Sequence, residues 1–270
     1  MQIAAGLEYE TRGNGEPVLF FHSGAVCDAD LPLMSQPALA DYMLIRYRRR
    51  GYGGSARHNG PCSFGDQAAD ALSLLHALGV QRAHIVSHSY AGLIALQLAL
   101  DSPEAVQSLV LSEPALGMFL AGEQGSQGQL FASARRLAEA GDYAGAVNSI
   151  LQFALGPAWR TDIVKMIPGA PDQVDRDAAS TFPFESPLAA WDFSESAAKQ
   201  IEQPVLSVKG TESMPRAGEI RELLHSWLPQ TEDYDVLGAN HQMQFHSPRS
   251  AARFAEGIAA FFKRHPIAGK

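Results

Sequence analysis

The stretch HIVSHSYAGLIALQLAL, residues 84–100, passes from an apolar strand-like run into an apolar helix with almost nothing between them. So tight a turn needs small residues where strand and helix approach, and Ser87 and Ala91 supply them on either side of Ser89. The central side chain is lifted into solvent at the carboxyl end of the strand, with the following backbone N–H turned toward the same space. Further strand-like runs occupy residues 7–11, 17–21, 42–47, 106–111, 204–208 and 232–237, and helical apolar spacing marks 66–78, 91–100 and 217–228. This alternation predicts an α/β fold with a mostly parallel central sheet, right-handed crossovers and a ligand site at the strand carboxyl ends.

The alternation stops between about residues 116 and 199, far beyond the roughly 15 residues that structureless loops reach. Helical spacing returns at 129–140 and 143–152, but not at 167–172 or 182–184. The chain therefore reads as a core domain of residues 1–115 and 200–270 carrying a helical cap, 116–199. Ser247 followed by Pro248 marks the start of a last helix that buries Phe254, Ile258 and Phe261 or Phe262.

A net charge of -8 over 270 residues disfavours nucleic acid and anionic membranes as partners, because both need a positive field. The run Arg48, Arg49, Arg50 is too short to change this, and loop bracing is its first reading, with an anionic substrate second. Two cysteines, Cys27 and Cys62, exclude a disulfide framework and a multi-cysteine metal site. With no basic and apolar leader and no 18-residue apolar run, a cytoplasmic protein with free thiols is expected. His84 and His88 would stand about 13 Å apart on a strand, too far for one ion, so no metal is expected.

Five loops together resemble those of the α/β-hydrolase superfamily, in its serine-nucleophile, cap-bearing branch, and the resemblance spans nearly the whole chain. HSG at 22–24 is similar to the His-Gly oxyanion loop, with Ser23 replacing glycine, and RRRGYGGS at 48–55 to D-x-R-G-x-G-x-S, with Arg48 replacing aspartate. SHSYA at 87–91 resembles the nucleophile elbow G-x-S-x-G, GTES at 210–213 the loop that usually supplies Asp, and GANH at 238–241 the histidine loop. The resemblance implies Ser89 as nucleophile, His241 as general base, and an oxyanion hole from the backbone N–H groups of Tyr90 and Gly24, with Ala25 as a further candidate. His22 and His88 read as bracing residues.

The usual acid position is Ser213, which carries no charge. Glu113, after the strand that follows the elbow, is the first candidate, in a placement similar to that of zearalenone lactonases, and Glu212 is the alternative. The implied reaction is cofactor-free cleavage of an ester or lactone of a medium-sized apolar or aromatic small molecule through an acyl-enzyme. Carbon-carbon bond hydrolysis and perhydrolysis use the same triad, and a non-catalytic ligand-binding or sensor protein is the reading from another class. Asp-nucleophile chemistry is disfavoured by Ser89. Met118, Phe119, Phe153, Trp159, Phe182, Phe184, Trp191 and Phe193 supply apolar surface for the cap core and for a pocket.

Overall fold

A computed structural model describes residues 1–57, 60, 62–117, 126–181 and 191–268. Eight strands form one sheet: β1 Gln2–Ala4, β2 Leu7–Arg12, β3 Pro17–Phe21, β4 Met43–Tyr47, β5 Ala83–His88, β6 Val106–Ser112, β7 Val205–Gly210 and β8 Thr231–Val236. Their order is β1-β2-β4-β3-β5-β6-β7-β8, antiparallel at β1/β2 and β2/β4 and parallel from β4 to β8. After β3 the chain goes to one side for β4 and then returns to the other for β5. The loops leaving β3 and β5 therefore diverge at a topological switch, where open α/β sheets leave a crevice.

Helices cover both faces. α1 Leu31–Met34 and, late in the chain, a C-terminal helix at Pro248–Arg264 close one face around Val18, Phe20, Val110 and Leu206. α2 Phe64–Ala77 and α3 Ala91–Asp101 close the other around Leu19, Ile85, Leu109 and Val205. α2 begins in a capping box of Ser63 and Asp66, which satisfies backbone donors at its first turn. Its buried face is Phe64, Gln67, Ala68, Ala71, Leu74 and Leu75, so Ala69, an apolar residue of the sequence pattern, lies exposed.

Between β6 and β7 run α4 Ser126–Glu139, α5 Tyr143–Leu155, α6 Trp159–Ile163, α7 Ala170–Thr181 and α8 Glu195–Ala198. α7 covers the end of a stretch whose spacing gave no helix. Only Ala170, Val174 and Ala178, one stripe at every fourth residue, are buried apolar positions on it, and Pro171 sits in the first turn, where a missing N–H costs nothing. Trp159 is buried with α5, α6 and α7, whereas Trp191 stacks on Phe193 at 4.4 Å inside the core of the sheet domain. Met118, Phe119, Phe182 and Phe184 lie outside the described residues. α9 Arg216–Trp227 follows β7, and the C-terminal helix, α10, starts at the Ser247 cap and buries both Phe261 and Phe262.

Asp30, just before α1, is buried without a capping hydrogen bond, and burial pushes its carboxyl up to about 7 although Arg46 lies near. The folded chain then keeps this proton where the unfolded chain has released it, so stability falls as pH rises from about 4 to 7. Asp30→Asn is expected to stabilise the protein by up to about 4 kcal/mol at pH 8 and to be nearly neutral at pH 4. Urea melts at both pH values check this; a difference that does not grow with pH contradicts it.

Candidate functional site

The sheet register sets the site. His88 at the end of β5 pairs with Ser112 at the end of β6, so Ser89 and Glu113 leave adjacent strands at the same height. Both adopt positive φ, 53° at Ser89 and 42° at Glu113, a conformation that side-chain-bearing residues rarely take and that the surrounding structure must hold. Ser89 is pinned on both sides: its N–H donates to the Ser112 carbonyl at 3.0 Å, and its carbonyl accepts from Gly92 and Ala115, each at 3.0 Å. α3 passes so close to the β6 exit that a Cβ on Gly92 would lie 2.6 Å from the Pro114 Cβ, which requires glycine there. Ser87 replaces glycine at no loss, because its buried hydroxyl donates to the Val110 carbonyl at 3.1 Å.

Glu113 reaches the histidine loop. Its Oε2 accepts from His241 Nδ1 at 2.7 Å, while Oε1 accepts from the Gly210 N–H at 3.0 Å and from the Ser213 hydroxyl. The Glu113 side chain is 8% exposed and that of His241 31%. Burial alone would raise the Glu113 carboxyl, but the hydrogen bonds from His241, Ser213 and Gly210 outweigh it and hold the group below the usual carboxylate range. Glycine is needed at 210, since a Cβ would fall 2.3 Å from the Ala239 carbonyl oxygen. Glu212 lies exposed on the same loop, tied to Ala239 through its backbone N–H at 2.8 Å.

Sequence reasoning left the contribution of Ser213 unread and read His88 as a bracing residue without the loop that it braces. Ser213, singled out only as a missing carboxylate, is a hydroxyl donor to Glu113; the signal was a donor-bearing residue at the position a relocated acid had vacated. His88 is buried, and its Nε2–H donates to the His241 carbonyl at 2.8 Å with the rings 4.5 Å apart. Burial and the nearby His241 push His88 down to about 3, so it stays neutral and braces the histidine loop.

The loop after β3 completes one side. His22 Nδ1–H donates to the Ser23 carbonyl at 2.7 Å and Nε2 accepts from the Arg49 N–H at 2.9 Å, a neutral bracing histidine. The Ala25 N–H donates to the Tyr52 hydroxyl at 2.9 Å and is already engaged. The arginine run braces loops: Arg48 pairs with Glu8 at 3.0 Å and Asp28 at 3.1 Å, Arg49 donates to the His22 carbonyl at 3.2 Å, and Arg50 to Asp70 at 2.8 Å.

Ser89, Tyr90, Gly24, Glu113, Glu212 and His241 all line one cavity of about 460 Å³, within the roughly 300–1,000 Å³ of small-molecule sites. Most of its remaining wall is apolar, including Phe131, Val147, Leu151, Phe153 and Phe245, with Arg216 on the α9 side. A second serine-histidine-carboxylate chain, Ser108–His84–Glu16, joined at 2.7 and 3.1 Å, lies under the sheet, where Ser108 and His84 are fully buried; no substrate reaches it. Among the described residues no cluster of His, Cys, Asp and Glu could hold a metal ion, and no helix is long and apolar enough to cross a membrane.

The family model for the alpha/beta hydrolase fold matches residues 16–248. The chain belongs to the α/β-hydrolase family. This α/β hydrolase is 38% identical over 108 residues to "Putative carbamate hydrolase RutD" of Azorhizobium caulinodans, covering 40% of each chain, so it spans about two fifths of the length of that relative. Among solved structures, it is similar to the enol-lactonase of Burkholderia xenovorans LB400 (20% identity, 95% of this chain and 96% of that one, TM-score 0.72) and to a thermophilic esterase of Thermogutta terrifontis (18%, 96% and 94%, TM-score 0.70). At these identities the structural likeness is one of fold.

Proposed function

We propose that this α/β hydrolase cleaves an ester or lactone of a medium-sized, largely apolar small molecule through an acyl-enzyme formed on Ser89. The observation that carries this reading is the 2.7 Å contact of His241 Nδ1 with Glu113 in the cavity that Ser89 also lines. With Nδ1 committed to the carboxylate, Nε2 is the nitrogen that takes the Ser89 proton as Oγ attacks the substrate carbonyl. Glu113, ionised and nearly buried, orients the ring and stabilises the imidazolium. The oxyanion is received by the Tyr90 and Gly24 N–H groups, Ala25 being spent on Tyr52. His241 then protonates the leaving oxygen, and water repeats the sequence on the acyl-enzyme.

Carbamates, lactones and esters, the groups in the relatives' names, share an acyl carbon bonded to a heteroatom. Of these, the carbamate in the name of the 38%-identical relative is what supports acyl transfer in this reading. Glu113 is preferred to Glu212 as the acid because it holds His241. The helices between β6 and β7 act in this reading as a cap over the cavity, and the two free thiols, both buried, fit a reducing cytoplasm.

Mixing the protein with p-nitrophenyl esters of two to eight acyl carbons is expected to give a nitrophenolate burst and an acyl adduct by intact mass; turnover of none of these esters, nor of aliphatic lactones, contradicts the reading. Ser213→Ala removes a hydrogen bond to a charged group, worth about 1.5–3 kcal/mol, and should lower kcat about tenfold with KM little changed. A steady-state comparison with wild type checks this, and an unaltered kcat removes Ser213 from the account.

A further inference from the structure

The loop that supplies Gly24 is strained. The Val26 N–H closes a three-residue turn onto the Gly24 carbonyl at 2.6 Å, and Ala25 at its centre has φ 55°, the rarer and less favourable sense of such a turn. A turn of this kind costs about 1–3 kcal/mol and persists only where its surroundings over-determine it. Tyr52, on the loop after β4, accepts from the Ala25 N–H. The other fastening comes from outside the sheet domain. Gln173 on α7, 3% exposed, spans the turn with its amide: Nε2 donates to the Ala25 carbonyl at 3.1 Å and Oε1 accepts from the Cys27 N–H at 3.2 Å. The amide is oriented in turn, because Nε2 also donates to Asp177 Oδ2 at 2.9 Å, and that oxygen accepts from the Gly53 N–H at 3.1 Å.

We infer that Gln173 is a positioning residue for the oxyanion-binding loop, so that the helical segment between β6 and β7 completes the reactive geometry of the sheet domain as well as covering its cavity. The inference rests on the hydrolase reading of Ser89 and Gly24. Its physical basis is peptide orientation. The Gly24 N–H lies at the start of the strained turn, and the two hydrogen bonds from one rigid amide fix the peptides on either side of Val26. Releasing them lets the turn relax toward negative φ at Ala25 and rotates the Gly24 N–H away from the developing charge. A misplacement of about 1 Å in such a group costs on the order of 10²-fold in rate. Ser180, on the same helix, fastens α7 to the Gly51 carbonyl at 2.5 Å without touching this loop, and so provides a control for seating of the helix alone.

The test compares wild type with Gln173→Ala, Gln173→Met and Ser180→Ala. Gln173→Met keeps the side-chain length and adds no charge beside Asp177 but loses both hydrogen bonds to the loop, which guards against an alanine variant destabilised by a cavity. Hydrogen exchange of the amides at 24–27, the rate of Ser89 labelling by a fluorophosphonate, and kcat and KM for p-nitrophenyl butyrate are measured. Both Gln173 variants should exchange these amides at least tenfold faster, with labelling rate and kcat reduced tenfold to about 10²-fold and KM within about threefold. Ser180→Ala should match wild type. Gln173 variants that behave like Ser180→Ala, or that loosen the loop without loss of kcat or labelling, overturn the inference. A wild type that is neither labelled nor active overturns the hydrolase reading and the catalytic role of Gln173 with it, while amide exchange still decides whether Gln173 holds the loop.

Discussion

Ser89→Ala is expected to lower kcat by about 10⁶-fold on any ester that the wild type turns over, with the fold retained. The size of the effect follows from how completely the site depends on one oxygen. The elbow backbone is held by hydrogen bonds to Ser112, Gly92 and Ala115 that alanine keeps, and alanine meets no more strain than serine at φ 53°. The Ser213 hydroxyl in the same cavity is engaged with Glu113 and cannot substitute as nucleophile. Steady-state rates corrected for background hydrolysis check this. A variant that keeps more than about one percent of wild-type kcat would move the chemistry to another group.

Glu113→Gln is expected to lower kcat by about 10³ to 10⁴-fold, while Glu212→Gln changes it by less than about threefold. The asymmetry comes from counting donors. Glu113 Oε1 accepts from both Gly210 and Ser213, and Oε2 from His241. A glutamine can serve the two donors only by turning its carbonyl oxygen toward them. Its NH₂ then faces His241 Nδ1, which must become an acceptor, so the ring proton moves to Nε2. An imidazole protonated at Nε2 cannot take the Ser89 proton. Exposed Glu212 makes no comparable contact with His241 among the described residues. Rates of both variants on one ester decide between them, and the reverse result would transfer the role to Glu212.

Much of this arrangement was legible as sequence because local patterns and global fold agree. The run PVLFF forms β3 with the bounds its apolar content gives, and Ser247 with Pro248 opens the last helix because cap chemistry is local. The elbow was legible because the demand for small residues at 87 and 91 is steric and acts within a few residues. What escaped reading depends on partners far along the chain. Glu113 was legible as the first candidate acid, ahead of Glu212, but the choice between them rests on a contact with His241 across 128 residues, which exists because β6 and β7 are neighbours and Gly210 lets the histidine loop approach. α7 was missed because its interior face is three small or aliphatic residues in a polar sequence, too narrow a stripe to stand out by periodicity. The place of Gln67 on the buried face of α2 was not legible, because it is buried under Arg49, a polar pairing that apolar periodicity does not register.

The central claim is that Ser89 is an activated nucleophile. It is tested most directly by incubating the native protein with a fluorophosphonate and locating the adduct by peptide mass spectrometry. One equivalent on Ser89, lost in Ser89→Ala, strongly slowed in Glu113→Gln and accompanied by loss of ester turnover, is the predicted result. A folded protein that remains unlabelled, or that carries the adduct on another residue, would contradict it.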